Sequence, residues 1–349
     1  MSAMHIKRLL TLACLLAACA PASAPVAELA DAAAIEVFFS DPQRNDARSY
    51  RGGPDEALAS AIDSARASVD AALHDLNLWS IRDALLDAQA RGVQVRLVVE
   101  SDNLDQRPEL QELLAAGIPL VEDRDPDRMH DKFVVIDQYA VWTGSMNLTT
   151  NGAYLNRNDL LHIESSVVAA AYTAEFEEMF IQGLFGDESP RGAPTWLQLG
   201  ETQVEVYFAP EDDVAGRLVT LIADAEESVD FLAFSFTDDD IAAALIAAAV
   251  RGVAVRGVFD RGQVASNTGG EYTNLLAAGI NVRLDGERDN LHSKLFIVDG
   301  RIVVTGSYNF SRNAAERNDE NMLFIWDAAL AAQYEDEFET VWALALPPQ

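Results

Sequence analysis

Lysine is nearly missing from this chain. Of its 25 basic residues only three are lysines: Lys7, Lys132 and Lys294. Coding bias explains arginine for lysine on a surface. It does not explain why two of the survivors stand in two repeated stretches, where a compact ammonium cannot be replaced by a planar fork. Basic charge is short overall, with 56 acidic residues giving a net charge of −31. That field repels phosphate polyanions and anionic lipid surfaces at long range. No basic stripe interleaved with aromatics announces a nucleic-acid groove. Cysteine is limited to Cys14 and Cys19. Long apolar runs are absent: the one at 9–18 is too short to span a bilayer. What remains is 349 residues, 49% hydrophobic, enough for two packed domains and too apolar for wholesale disorder.

The apolar run at 9–18 follows Lys7 and Arg8, which reads as a secretory signal. Leu16-Ala17-Ala18-Cys19 resembles the lipobox of bacterial lipoproteins. The resemblance implies a signal at 1–18, a lipid on Cys19, and an Ala- and Pro-rich tether through residue 34. It places the protein in the bacterial cell envelope, exported and anchored to a membrane. Cys14 leaves with the signal, so no disulfide can form.

The rest of the chain is written twice. IEVFF at 35 is echoed by VEVYF at 204, SVD at 68 by SVD at 228, RGVQVR at 91 by RGVAVR at 251, and LLAAGI at 113 by LLAAGI at 275. The period is far too long for a solenoid. Helix-like stretches at 83–90 and 241–250, each closed by Arg-Gly, precede β-branched runs at 93–99 and 253–259. This alternation predicts an α/β fold of two homologous lobes, each a mixed, mostly parallel sheet flanked by helices, with a cleft between them. The lobes are expected at 35–190 and 204–349, joined by a Pro- and Gly-rich linker at 191–203.

Two stretches carry the chemistry: MHDKFVVIDQYAVWTGSMNLTTNG from Met129 and LHSKLFIVDGRIVVTGSYNFSRNA from Leu291. His130 and Lys132 are two apart, so a strand points both to one face. Asp137, Ser145 and Asn147 follow. His292, Lys294, Asp299, Ser307 and Asn309 repeat every step. Two such half-sites facing each other would cage a phosphodiester. The Lys, Asn and Ser groups would bind phosphate oxygens. One imidazole would attack phosphorus, and the other would serve as general acid and then base.

At these residues the chain resembles the phospholipase D superfamily, whose signature is H-x-K-x-x-x-x-D followed by G-S-x-N. Both copies match at every position. The resemblance implies metal-independent, cofactor-free cleavage through a phosphohistidine, with His130 as nucleophile and His292 as general acid. It also implies that Asp137 and Asp299 are structural supports. Members often carry an acid after the second motif that fixes a histidine tautomer. Aligning Arg157-Asn158-Asp159 with Arg317-Asn318-Asp319 leaves Glu320 opposite Leu160. Glu320 is therefore expected to orient His130 across the cleft, and Asp159 is a weaker candidate for His292.

Other residues read more plainly. His74 and His162 align with Phe234 and Met322 and are expected in the core, as are Trp142, Tyr308 and Phe310. Asp238-Asp239-Asp240 fits a helix start better than a calcium patch. Asp123, Asp125 and Asp127 lack the glycine and distal glutamate of a calcium loop. No third ligand stands near either His-x-Lys, so no metal is expected in the cleft. The expected activity is phospholipase D-type hydrolysis of phospholipids by a monomer holding both half-sites. The alternative is an extracytoplasmic nuclease of the same superfamily.

Overall fold

The computed structural model describes residues 35–123 and 127–348. The signal, Cys19, the tether and Asp125 lie outside them. The first sheet holds β1 (Ile35–Phe39), β2 (Ser68–Leu73), β3 (Gln94–Val99), β4 (Leu120–Glu122), β5 (Lys132–Ile136), β6 (Ala140–Gly144) and β7 (Asp159–Glu164), in the order β1-β7-β6-β5-β2-β3-β4. The second holds β8 (Thr195–Leu199), β9 (Thr202–Ala209), β10 (Ser228–Ala233), β11 (Ala254–Phe259), β12 (Asn281–Leu284), β13 (Lys294–Val298), β14 (Ile302–Gly306) and β15 (Glu320–Trp326), in the order β12-β11-β10-β13-β14-β15-β9-β8. The two lobes are thus repeats of one mixed design.

Two expectations need correcting. The sheets are mixed, but antiparallel pairing dominates. Only β2-β3-β4 and β10-β11-β12 run parallel. The reason is the length of the connections. Helices Trp79–Ala90 and Asp239–Arg251 make the crossovers a parallel pair needs, whereas β5–β6 and β13–β14 are joined by tight turns. Second, the expected linker is partly strand. Trp196-Leu197-Gln198-Leu199 buries Leu197 and pairs with β9, an alternation that the neighbouring Pro and Gly residues disguised.

The tight turns explain the signature aspartates. Asp137 and Gln138 have φ of 54° and 54°, and Asp299 and Gly300 have 51° and 61°. Two successive positive φ values match the right-handed strand twist, which is why Asp-Gly is favoured in such hairpins. Each Asp carboxylate then accepts the backbone N–H groups of three residues at the start of β2 or β10: Arg66, Ala67 and Ser68, or Glu226, Glu227 and Ser228. Burial pushes both carboxyls up, but these bonds outweigh it and hold both below the usual range. The signature glycines answer a different need. A Cβ on Gly144 would lie 2.5 Å from the Asp159 carbonyl oxygen, and one on Gly306 would lie 2.2 Å from that of Asn321.

Helices Ser166–Glu177 and Ala328–Leu344 contribute Tyr172, Phe176, Tyr334 and Phe338 to one core that also takes Phe133 and Leu161 from the first sheet and Leu295 and Leu323 from the second. The described residues form one compact unit. Polar bonds cross this core symmetrically. Tyr172 and Thr143 donate to Asn321 Oδ1 at 3.1 and 2.8 Å, and Tyr334 and Thr305 donate to Asp159 Oδ2 at 2.8 and 2.6 Å.

The turn geometry is testable by urea denaturation. Asp137→Ala should lower unfolding free energy by about 2 kcal/mol. Gln138→Gly, copying Gly300, should raise it by about 0.5–1 kcal/mol because glycine adopts positive φ without strain.

Candidate active site

His130 and His292 each sit two residues ahead of the lysine that opens β5 or β13. Their backbones are pinned by the opposite half of the chain: His130 N donates to the Asp319 carbonyl at 3.0 Å, and His292 N to the Arg157 carbonyl at 2.9 Å. Both imidazoles and both lysines are buried. Each ammonium donates to the carbonyl of its own motif histidine.

The side-chain partners cross over in the same way. His130 Nδ1 lies 2.7 Å from Glu320 Oε2. Ionised, Glu320 can only accept, and in that state Nδ1 carries the proton and Nε2 keeps its lone pair. Glu320 also accepts from Ser307 Oγ at 2.7 Å and Asn318 Nδ2 at 3.1 Å. His292 Nδ1 instead meets Asn158 Oδ1 at 2.9 Å, while Asn158 Nδ2 donates to the Gly152 carbonyl. One imidazole is thus held by a carboxylate and the other by a neutral amide.

This arrangement corrects the alignment after the motifs. Gly144 pairs with Leu160, and Gly306 with Met322. The equivalent of Glu320 is therefore Asn158, not Leu160, and the equivalent of Asp159 is Asn321. Asp159 does not reach His292. It accepts from Ser145, Thr305 and Tyr334. The repeated Arg-Asn-Asp tripeptide misled the comparison by two positions. Keeping the spacing that relates Asn147 to Asn309 would have found Asn158.

The motif serines are also not where a phosphate could use them. Ser145 and Ser307 are fully buried. Ser145 Oγ donates to the Asn158–Asp159 pair and accepts from Asp159 N, while Ser307 Oγ donates to Glu320 and accepts from Asn321 N. They hold the orienting groups. Asn147 and Asn309 differ: their amide oxygens are buried without a partner, and neither amide nitrogen donates a bond among the described residues.

Electrostatics follow from burial among cations. Burial, then Lys132 and Lys294, hold the His130 imidazole well below its ordinary range. Burial, then Lys294 and Lys132, do the same to His292. Each ring therefore feels the lysine of the opposite lobe, which brings both half-sites to one locus. Burial lowers Lys132 to about 8 and raises Glu320 to about 7. His74, expected in the core, is half-buried and packs its ring on His130 at 4.6 Å between centroids. Phe234 occupies the same place against His292, at 4.5 Å, with Lys294 Nζ 4.9 Å from its centroid. A groove of about 450 Å³, lined by Arg128, Phe234, Gln263, Asn309 and Asn318 among others, opens beside this locus.

The remaining candidates sort plainly. Trp142, Tyr308 and Phe310 are core residues. His162 is half-buried and stacks on Trp142 at 4.4 Å. Asp238 accepts from Ile241 N as a helix cap. Asp123 accepts from Ser101 N and Met129 N, and Asp127 lies 3.5 Å from Arg317.

Two repeated mixed sheets that bring paired His-x-Lys motifs to one cleft define the phospholipase D superfamily. A family model described as cardiolipin synthase, PLD-like domain, matches residues 58–180 and again 218–342. The chain belongs to this family. It is 34% identical over 131 residues to a mitochondrial cardiolipin hydrolase of Xenopus tropicalis, a match covering 38% of this chain and 62% of the relative. It is 37% identical over 116 residues to a phospholipase D of Rickettsia bellii, covering 33% and 58%. The chain spans less than two thirds of the length of these relatives. The solved phosphatidylserine synthase of Haemophilus influenzae has the same fold at 13% identity, with a TM-score of 0.67 over 90% of this chain and 87% of that one.

Glu320→Gln should leave the melting temperature within a degree or two and lower kcat on bis(p-nitrophenyl) phosphate by about 10- to 100-fold, the usual size of an orienting contact. An unchanged kcat would remove the orienting role.

Proposed function

We propose that the protein is a phospholipase D-type hydrolase of phospholipid phosphodiesters, working through a phosphohistidine on His130. The observation that carries the assignment is the contact between Glu320 and His130 Nδ1. A carboxylate partner stabilises the positive charge that builds on the ring when Nε2 bonds to phosphorus. His292, held by an amide, receives no such help and is the better proton donor.

In the first step His130 Nε2 attacks phosphorus. The bond to the head-group oxygen breaks, and His292, as imidazolium, hands that oxygen its proton. In the second, His292 takes a proton from water, the hydroxide attacks phosphorus, and the P–N bond breaks to free His130. Phosphatidate and an alcohol are the products. Lys132, Lys294, Asn147 and Asn309 stabilise the phosphoryl oxygens. Burial and then the lysines depress both imidazoles; the phosphate's own negative charge works against that and favours the protonated His292 that the first step needs.

A net charge of −31 disfavours a polyanionic chain, and the groove beside Asn309 offers room for a polar head group. A lipid on Cys19 would keep the enzyme beside its substrate in the cell envelope.

The test uses the full chain in detergent. Wild type should release phosphatidic acid from mixed phospholipids and leave DNA and RNA intact; nucleotide fragments without phosphatidic acid would replace the lipid reading with the nuclease one. With a ³²P-labelled phosphodiester bearing a good leaving group, His292→Ala should accumulate acid-labile, alkali-stable label. His130→Ala should accumulate none. Label surviving in His130→Ala would reverse the assignment of the two histidines.

A further inference from the structure

The pseudo-twofold that relates the lobes breaks down behind the active site in an instructive way. Arg157 and Asp319 hold equivalent positions, since their carbonyls accept from His292 N and His130 N and their amides donate to Asn290 and Arg128. Tyr172 and Tyr334 are likewise equivalent, so Glu175 on one interlobe helix corresponds to Glu337 on the other.

On one side the buried Arg157 guanidinium sits among acids. It pairs with Glu287 at 2.9 Å, Glu337 at 3.0 Å and Asp41 at 3.5 Å. On the other side the arginine is replaced by an acid while the glutamate is kept, and Glu211 is added. Glu175, Glu211 and Asp319 bring one carboxylate oxygen each within 4.8 Å of the others. No Lys or Arg forms an ion pair with any of them among the described residues. A further fact points to a missing cation. Glu211 has only the neutral Ser189 hydroxyl as a side-chain partner, and Oδ2 of Asp131, a fully buried residue whose charge acts on all three acids, has no hydrogen-bond partner. Asp319 Oδ1 has one neutral donor, Gly186 N, at 2.7 Å.

We propose that Glu175, Glu211 and Asp319 bind a hard divalent cation, which does on this side what the Arg157 guanidinium does on the other. Oxygens around one Ca²⁺ at about 2.3–2.6 Å lie no more than about 5 Å apart, the spread these three show. An all-oxygen set with no imidazole or thiolate selects Ca²⁺, Mg²⁺ or Mn²⁺ over Zn²⁺ or Cu²⁺. The ion lies outside the catalytic cleft and takes no part in the phosphoryl transfer. Asp319 precedes Glu320, and its carbonyl receives the His130 N–H. The ion therefore acts as a positioning group for the His130–Glu320 pair.

The experiment is calorimetric titration of the full chain in detergent, stripped with EDTA, against Ca²⁺, Mg²⁺ and Mn²⁺ at pH 7.5, with melting curves in parallel. One cation per chain should bind, and the melting temperature should rise by several degrees. Glu211→Gln should weaken binding at least tenfold. Asp319→Arg, which copies Arg157, should abolish binding and melt at the same temperature with or without metal. Asp336→Asn, on the exposed face of its helix, should change nothing. Absence of stoichiometric binding by wild type would overturn the proposal, as would undiminished binding by Asp319→Arg. A wild type stabilised in EDTA only by acidification would show that the acids hold protons instead, and would overturn it too.

Discussion

The site depends on an exchange between halves: each motif histidine is held by residues from the other lobe. Backbone bonds from His130 to Asp319 and from His292 to Arg157 set the positions of the rings, and Glu320 and Asn158 set their rotation. Neither lobe can orient its own imidazole. The strict strand register and the glycines that let β6 meet β7 and β14 meet β15 are consequences of this demand, since a small shift would part each ring from its partner.

The symmetry that builds the cleft is not carried into its chemistry. A carboxylate stands behind one imidazole and an amide behind the other. An imidazole packs on His130 where a phenyl packs on His292. A duplicated unit gives two identical half-sites, but displacement at phosphorus needs an attacking group on one face and a proton donor on the other. Small differences such as Glu320 against Asn158 are enough to divide that labour.

Much of this was legible in the chain. His130, Lys132, His292 and Lys294 stood out because their spacing recurs in full, and Glu320 because the comparison of the halves set it opposite a leucine. Asp137 and Asp299 were readable as supports, and their turns explain how. The misreadings have physical causes. The position of Asn158 depends on strand register, which short tripeptide likeness cannot report. Ser145 and Ser307 looked like phosphate ligands because hydroxyls commonly are, yet burial decides what a hydroxyl can reach. β8 was lost among prolines and glycines, and the predominance of antiparallel pairs was lost because helix-strand alternation says nothing about the hairpins between.

The shared core has an implication for the origin of the molecule. Helices Ser166–Glu177 and Ala328–Leu344 bury Tyr172, Phe176, Tyr334 and Phe338 in a layer that belongs to both sheets. An isolated repeat would present half of that greasy layer to water, together with a histidine lacking its mate. An ancestral gene encoding one unit thus makes physical sense only as a self-associating twin, and fusion of its two copies released the sequence from having to be identical on both sides.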